Sequence, residues 1–160
     1  MIYFKKKIVL SVLFVILIGL IGFIFSNSFK VKEESTEQST RILNIIIEKI
    51  APLADAQQKG KIHNIIRKCA HAAEYLALGI VLAMIARQFE KSYNRKYICF
   101  PLLIGLSIGV VDEFIQSFND RSSEVRDVLI DFGGVVVGVA IVMLIFVIKD
   151  WIKKRIRYYY

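Results

Sequence analysis

Four long apolar stretches alternate with polar segments along this chain. Residues 8–25 contain no charged residue, and residues 128–148 contain only Asp131. Residues 69–86 and 98–118 are also mainly apolar, although each carries polar side chains toward one end. Because about 20 apolar residues in a helix cross the hydrocarbon layer of a bilayer, the pattern predicts four transmembrane helices. We therefore predict an all-α membrane protein built as a four-transmembrane-helix bundle.

The longest polar stretch, residues 26–68, joins the first two predicted spans. Within it, apolar side chains recur at helical spacing over residues 41–51, and Pro52 follows directly. This pattern predicts an amphipathic helix on the outer membrane surface, which either covers a site or only packs against the bundle. The spans and this segment occupy most of the chain. We therefore expect one membrane domain over residues 1–160, without a separate soluble catalytic domain.

The basic residues are concentrated in three segments. Residues 1–7, 87–97 and 149–160 together contain twelve Lys and Arg residues and two acidic residues, whereas the rest of the chain contains ten basic and twelve acidic residues. An excess of Lys and Arg marks the cytoplasmic segments of membrane proteins. We therefore predict that both termini are cytoplasmic. The distribution explains the net charge of +8 by membrane topology and argues against a nucleic-acid partner.

Polar residues gather at the outer end of the second predicted span. Arg67, His71 and Glu74 follow one another at spacings of four and three, and Tyr75 comes next. Helical periodicity places these four residues on one face. Lys68 lies beside them at the predicted membrane surface. Ionisable residues within a span are costly, so each is a candidate functional residue.

The third and fourth predicted spans carry polar residues at the same predicted level. Asp112, Glu113 and Gln116 end the third span, and Asp127 and Asp131 open the fourth. Polar residues at 26–28 end the first span, where they either cap the helix or face an outer cavity. Four helix ends therefore place polar groups in the predicted outer half of the bilayer, which predicts one outward-facing site. The candidate ligand-binding residues are Arg67, Lys68, His71, Glu74, Tyr75, Asp112, Glu113, Gln116, Arg121, Asp127 and Asp131.

Small residues indicate where the helices approach one another. Gly105 and Gly109 form a GxxxG motif on the helix face of the third span that also carries Asp112. In the second span, three alanines form a strip with spacings of three and four residues. Small side chains allow close packing of transmembrane helices, so both surfaces are predicted contacts. The alanines are Ala70, Ala73 and Ala77.

The chemistry of the predicted cluster leaves two interpretations open. In a binding or catalytic site, basic side chains would hold an anionic headgroup, and His71 could exchange protons near neutral pH. Alternatively, Asp112 forms a structural ion-pair clasp with Arg67 or Arg121. The candidate catalytic residues under the first interpretation are His71, Glu74, Asp112 and Glu113.

Familiar catalytic and cofactor motifs do not occur in the sequence. One histidine in the cluster is few for a zinc site, and the HExxH motif is missing, so we expect no metal. Serine-nucleophile and phosphate-loop motifs are also missing, and no cofactor is predicted. The two cysteines, Cys69 and Cys99, are predicted to lie near opposite membrane faces, where they would not form a disulfide.

The ordered polar blocks resemble those of the VanZ-like family of small bacterial membrane proteins. Residues 25–28 form its serine block, and residues 67–75 match its Arg-Lys-x-x-His-x-x-Glu-Tyr block. Residues 112–118 match its Asp-Glu-x-x-Gln-x-Phe block, and Asp127 opens a final helix that contains glycines. Asp131 departs from the resemblance, which implies an uncharged polar residue such as Asn at that position.

The resemblance implies a multi-pass protein of the bacterial cytoplasmic membrane, and the namesake of the family is associated with teicoplanin resistance. The leading hypothesis is a site that binds or modifies an amphipathic envelope molecule, with membrane lipids or a lipid-linked envelope molecule as partners. The alternatives are a membrane scaffold for an envelope enzyme and a lipid-phosphate hydrolase or transferase. Catalysis and assembly into a homo-oligomer both stay open.

Overall fold

Four long helices make up the part of the chain that the computed structural model describes, which is residues 2–29, 45, 55–93, 97–118 and 125–159. The helices are α1 (Ile2–Ser28), α2 (Ala56–Tyr93), α3 (Cys99–Ser117) and α4 (Val125–Tyr159). Each is long and apolar enough to cross a membrane, which confirms the predicted all-α architecture with four spans. The amphipathic helix predicted at 41–51 lies outside the described residues, except for Ile45, which is helical and exposed.

Two helices are longer than a bilayer requires. At about 1.5 Å per residue, the 38 residues of α2 and the 35 residues of α4 extend for about 57 and 52 Å. The hydrocarbon core is only about 30 Å thick, so both helices continue beyond it. A reciprocal cap begins α2: the Gln58 N–H donates to Asp55 Oδ1 at 2.7 Å, and the Asp55 N–H donates to Gln58 Oε1 at 3.2 Å.

The most extensive helix contact lies between α2 and α4. These two helices are parallel, because Lys68 contacts Asp127 at one end of the pair and Arg87 contacts Asp150 at the other.

The third helix runs in the opposite direction, because Tyr97 just before it contacts Glu90 near the end of α2, whereas Gly109 in its second half packs against Tyr75. The first helix also runs opposite to α2, because its last turn contacts Glu74 while the preceding turns pack along the core. The result is an up-down-up-down bundle in which the second and fourth helices pack directly against each other.

Glycines allow the backbones of α2 and α4 to touch. A Cβ atom built at Gly134 would overlap the Ala72 carbonyl oxygen, and one built at Gly138 would overlap the Leu76 carbonyl oxygen. From the opposite helix, a Cβ at Gly79 would lie 2.9 Å from the Val135 Cα. Because only glycine leaves room for this approach, the three positions determine the spacing of the two helices.

The predicted glycine surface of α3 is a contact surface, whereas the predicted alanine strip of α2 is not. Gly105 is buried against Val135, and Gly109 is buried against the Tyr75 ring, where an added Cβ would lie 3.6 Å from Tyr75 Cε1. In contrast, Ala70 and Ala73 are exposed, so the predicted strip is wrong. The contact face of α2 lies instead one position away, along Ala72, Leu76, Gly79 and Ile80.

The buried apolar core lies between α2 and α4, and α1 packs on its side. Most side chains of α1 over the described residues 6–28 are exposed, and the buried ones among them are Leu13, Ile24 and Ser28. In a membrane this exposed apolar surface faces lipid, which solvates it as well as a protein interior would. The residues of the core are Ile24, Tyr75, Leu78, Leu82, Ala83, Val135, Val139 and Val142.

Candidate functional site

A fully buried carboxylate, that of Asp112, occupies the centre of the polar cluster. Its Oδ1 accepts a hydrogen bond from the Ser28 hydroxyl, which also contacts the Ile24 carbonyl oxygen at 3.1 Å. Its Oδ2 accepts a hydrogen bond from the Gln116 amide at 3.0 Å. Because Gln116 lies one helical turn after Asp112, α3 presents both side chains on the same buried face. The carboxylate is therefore held by neutral donors from two helices.

A second hydrogen bond connects α1 to the cluster. The Asn27 amide donates to Glu74 Oε1 across 3.3 Å, and both side chains are half-buried. His71 lies one turn before Tyr75 on α2 and is also half-buried. The last turn of α1 thus contacts two predicted site residues, Glu74 through Asn27 and Asp112 through Ser28.

The structure brings further predicted acidic residues close to Asp112. Asp131 on α4 is 2% exposed and lies within electrostatic range of Asp112, Glu113 and Glu74. Glu113 is 5% exposed. The fully buried Tyr75 ring lies beside Gly109, as does the Cβ atom of Asp131, and the Tyr75 hydroxyl has no hydrogen-bond partner among the described residues. Four helices therefore assemble carboxylates and neutral polar groups at one end of the bundle.

Two predicted site residues pair with each other at the edge of this cluster. Lys68 Nζ lies 2.5 Å from Asp127 Oδ1, and both side chains are partly exposed. This ion pair joins α2 and α4 about one helical turn before Ala72 and Asp131 in the respective helices. Lys68 therefore forms an ion pair with Asp127, whereas the sequence analysis predicts that Lys68 contacts a ligand.

Of the two arginines predicted to contact a ligand or Asp112, only Arg67 lies within the described residues. Arg67 is half-buried and, among the described residues, forms no ion pair with Asp112. The clasp between these two side chains, one of the two interpretations open from the sequence, is therefore not formed. Arg121, the other predicted partner of Asp112 and a predicted ligand contact, lies outside the described residues.

Two residues that contact the cluster directly, Asn27 and Ser28, are not among the ligand-binding residues predicted from the sequence. The sequence pattern assigns them to helix capping or to an outer cavity, because a polar run at a helix end is typical of a cap. The serine block of the family resemblance is the available signal for a role in the site. Nothing in the local pattern identifies Asp112 and Glu74 as their partners.

An apolar groove adjoins the cluster on the side of the bundle that faces lipid. It lies between α1 and α3 and has a volume of about 380 Å³. One end is next to the cluster, because Phe25 is one turn before Ser28 and Val111 directly precedes Asp112. From there the groove continues about two helical turns along α3. Its lining residues are Phe25, Leu103, Ile104, Ser107, Ile108 and Val111.

A separate polar cluster joins the helices at the opposite end of the bundle. Glu90 is 8% exposed and accepts hydrogen bonds from Arg87 at 2.7 Å and from the Tyr97 N–H at 3.1 Å. Arg87 also contacts Asp150 at 3.1 Å and lies over the Phe146 ring. Arg87 and Glu90 follow the predicted second span, and Asp150 follows the predicted fourth span. They anchor the start of α3 to the end of α2 and are far from Asp112 along the bundle.

A metal ion would need several donor side chains within reach of one point. Within the described ranges, no three His, Cys, Asp or Glu side chains are arranged to hold a metal ion. Cys69 and Cys99 both lie within the described residues, and each is free and exposed.

Four membrane-crossing helices with buried polar side chains at one end of the bundle define a multi-pass membrane protein. The chain matches the VanZ/LLP1 family model over residues 11–147, and it belongs to that family. Comparison with curated proteins gives no match. Comparison with solved structures also gives none.

Proposed function

We propose that this protein binds the headgroup of an amphipathic molecule of the bacterial envelope, in the outer leaflet of the cytoplasmic membrane. The observation that carries the proposal is the fully buried Asp112, held by Ser28 and Gln116. A carboxylate within a membrane-spanning bundle is costly, and such residues usually mark binding or transport sites. Its hydrogen-bond partners Ser28 and Gln116 are neutral side chains that position the Asp112 carboxyl group.

The neighbouring apolar groove supports an amphipathic ligand rather than a water-soluble one. It begins beside Asp112 at Val111 and Phe25 and continues toward the bilayer centre along Leu103 and Ile104. A molecule with a polar headgroup at the cluster can place its hydrocarbon chain in this groove. The same arrangement leaves the headgroup near the membrane surface, where an envelope precursor, a phospholipid or a lipoglycopeptide is available.

A contribution to teicoplanin resistance is the physiological part of the proposal. It is supported by membership of the VanZ/LLP1 family and by the predicted orientation, in which the cluster opens to the outside. Binding at that surface would act on the antibiotic or on the envelope molecule that it recognises. Chemical modification of the ligand is a further step for which His71 is the candidate acid or base.

A structural role is the second candidate function, and a specific observation favours it. The helix α1 has few buried side chains, yet its last turn makes two side-chain hydrogen bonds to the bundle, Asn27 to Glu74 and Ser28 to Asp112. Interhelical hydrogen bonds of this kind stabilise membrane proteins by about 0.6–2 kcal/mol each. In a scaffold for an envelope enzyme, the polar network would serve only to hold α1 in place.

Lipid retention separates the two functions. The wild type, Asp112→Asn and His71→Ala would be purified in mild detergent, and bound lipids and lipid-linked molecules measured by mass spectrometry. Asp55→Asn is the matched control, because Asp55 is exposed and Asn caps a helix equally well. We expect the wild type and the control to retain one class of amphiphile that both site variants lose.

Two other outcomes would contradict binding. If all variants retain the same lipids, the cluster does not select a ligand. If the unfolding temperature falls in Asp112→Asn while its bound lipids are unchanged, the scaffold role is favoured. To test the contribution to teicoplanin resistance, the same variants would be expressed in a susceptible host at equal membrane abundance. Equal teicoplanin susceptibility of cells with the wild type and with the site variants would contradict that contribution.

A further inference from the structure

We infer that the last three turns of α4 bind anionic phospholipids along one helix face. This face, which we call the basic face, consists of Lys149, Lys153 and Arg157 with Ile152 and Ile156 beside them. It lies at the end of the bundle opposite to the proposed headgroup site, in the cytoplasmic leaflet according to the predicted orientation. The inference is therefore independent of the proposed function.

The position of the basic face along α4 places its start among the lipid headgroups. The apolar stretch 128–148 covers about 31 Å as a helix, close to the roughly 30 Å of the hydrocarbon core. Lys149 directly follows this stretch, and the helix continues from there for about 16 Å. The exposed Trp151 supports the same depth, because tryptophan is enriched at the interface between membrane and water.

Helical spacing aligns three cations in one row. Lys149, Lys153 and Arg157 are each four residues apart, and all three side chains are exposed. With Ile152 and Ile156 they line a groove of about 480 Å³, and the two isoleucines are 45% and 59% exposed. A phospholipid matches both parts of this groove, since its phosphate contacts the cations while its glycerol backbone and upper acyl chains cover the isoleucines. A nucleic acid would supply only the phosphates.

The cations of the basic face form no ion pair with any described residue. The described ion pairs at this end of the bundle join Arg87 to Glu90 and to Asp150. Asp150 is the only acidic residue after position 148, so the segment has a large excess of positive charge. Like charges four residues apart on a helix repel one another. An anionic lipid surface offsets this repulsion and attracts each basic side chain.

Native mass spectrometry of the full-length protein in detergent tests the inference. The protein would be titrated with phosphatidylglycerol and, separately, with phosphatidylcholine that has the same acyl chains. We expect the wild type to bind phosphatidylglycerol at least tenfold more tightly. The triple variant Lys149→Gln, Lys153→Gln, Arg157→Gln should bind it at least tenfold more weakly than the wild type, since each basic residue near an anionic surface increases association about fivefold.

A matched triple variant separates the row of cations from net charge. Lys6→Gln, Lys154→Gln, Arg155→Gln removes three positive charges from exposed positions at the same end of the bundle, but outside the basic face. Its affinity for phosphatidylglycerol should stay within about threefold of the wild type. Because all six positions are exposed and Gln has a helix propensity like that of Lys and Arg, both triple variants should keep the unfolding temperature of the wild type.

A further variant tests the contribution of the two isoleucines. Ile152→Gln, Ile156→Gln retains every charge of the basic face and removes its apolar part. Phosphatidylglycerol should bind this variant several-fold more weakly, because less hydrocarbon is removed from water on binding. Undiminished binding would mean that the face recognises a phosphate alone and would contradict a lipid-specific groove.

Three other results would overturn the inference. Equal binding of phosphatidylglycerol and phosphatidylcholine to the wild type would exclude recognition of an anionic headgroup. Equal losses of affinity in the two triple variants would show a general attraction by net charge instead of binding along one face. Displacement of phosphatidylglycerol from the wild type by a single-stranded oligonucleotide would assign the basic face to nucleic acid.

Discussion

Ser28 donates a hydrogen bond to Asp112, which lies 84 residues later in the chain, and both side chains are fully buried. The bond joins the last residue of α1 to the buried face of α3. Together with the apolar side chains of α1 that pack against the core, this contact and the neighbouring bond from Asn27 to Glu74 connect the first helix to the other three. The same contact positions the carboxylate at the centre of the proposed site.

Removing the Ser28 hydroxyl should therefore destabilise the bundle. Ser28→Ala leaves a buried carboxylate oxygen without its donor, which costs about 1–3 kcal/mol. For a chain of this size we expect the unfolding temperature in detergent to fall by about 2–10 °C. Ser117→Ala is the control, since its hydroxyl contacts only the Phe114 carbonyl of its own helix at an exposed position. Equal unfolding temperatures in the two variants would show that the Ser28 bond contributes nothing.

The close contact of α2 and α4 predicts that Gly138 tolerates no side chain. A methyl group there would overlap the Leu76 carbonyl and lie 2.9 Å from the Ile80 nitrogen, both of which are backbone atoms that cannot rotate away. We expect Gly138→Ala to lower the free energy of unfolding by about 1–3 kcal/mol and to reduce the yield of folded protein. The control is Gly133→Ala, because a Cβ at Gly133 would meet no atom within 4 Å. A harmless Gly138→Ala would contradict backbone contact between these helices.

The ion pair of Lys68 and Asp127 should contribute little to stability, because the two side chains remain 35% and 22% exposed. A double-mutant cycle of Lys68→Met and Asp127→Asn should give a coupling energy of about 1 kcal/mol or less. Chemical denaturation of the four proteins in detergent measures it. A coupling of several kcal/mol would mean instead that this pair is a main connection between α2 and α4.

The two free cysteines offer a test of the predicted orientation. Cys69 and Cys99 are both exposed, and they lie near opposite ends of the bundle. With both termini in the cytoplasm, a membrane-impermeant maleimide should label Cys69 in intact cells and Cys99 only after permeabilisation. The single variants Cys69→Ser and Cys99→Ser identify the labelled site. Labelling of Cys99 alone in intact cells would reverse the predicted orientation.

Some parts of the site can be predicted because they depend on one helix at a time. The spacing of Gly105, Gly109, Asp112 and Gln116 predicts a shared face, and all four are buried together in α3. Asp131, Gly134 and Gly138, spaced three and four residues apart, are likewise buried together in α4. In contrast, the predicted alanine strip is wrong by one position, because small residues occur on more than one face of α2 and their spacing cannot select between them.

Pairing across helices is not predictable in the same manner. The sequence leaves open whether Ser28 caps its own helix or faces a cavity, and it assigns Lys68 to a ligand rather than to Asp127. The outcome depends on the rotation of each helix about its axis and on its depth relative to its neighbours. The rotation and depth of the helices are set by the glycine contacts between α2 and α4 and by the packing of α3 on Tyr75 and Val135.

The sequence by itself determined the number of spans, the all-α class and the polar character of one end of the bundle, because hydrophobicity and helical spacing are properties of a single segment. Only the tertiary structure decided which side chains meet. In a membrane, lipid solvates apolar surface as well as protein does, so hydrophobicity does not mark the buried face of a helix. Small and polar residues mark it instead, and their partners are selected by the packing of the whole bundle.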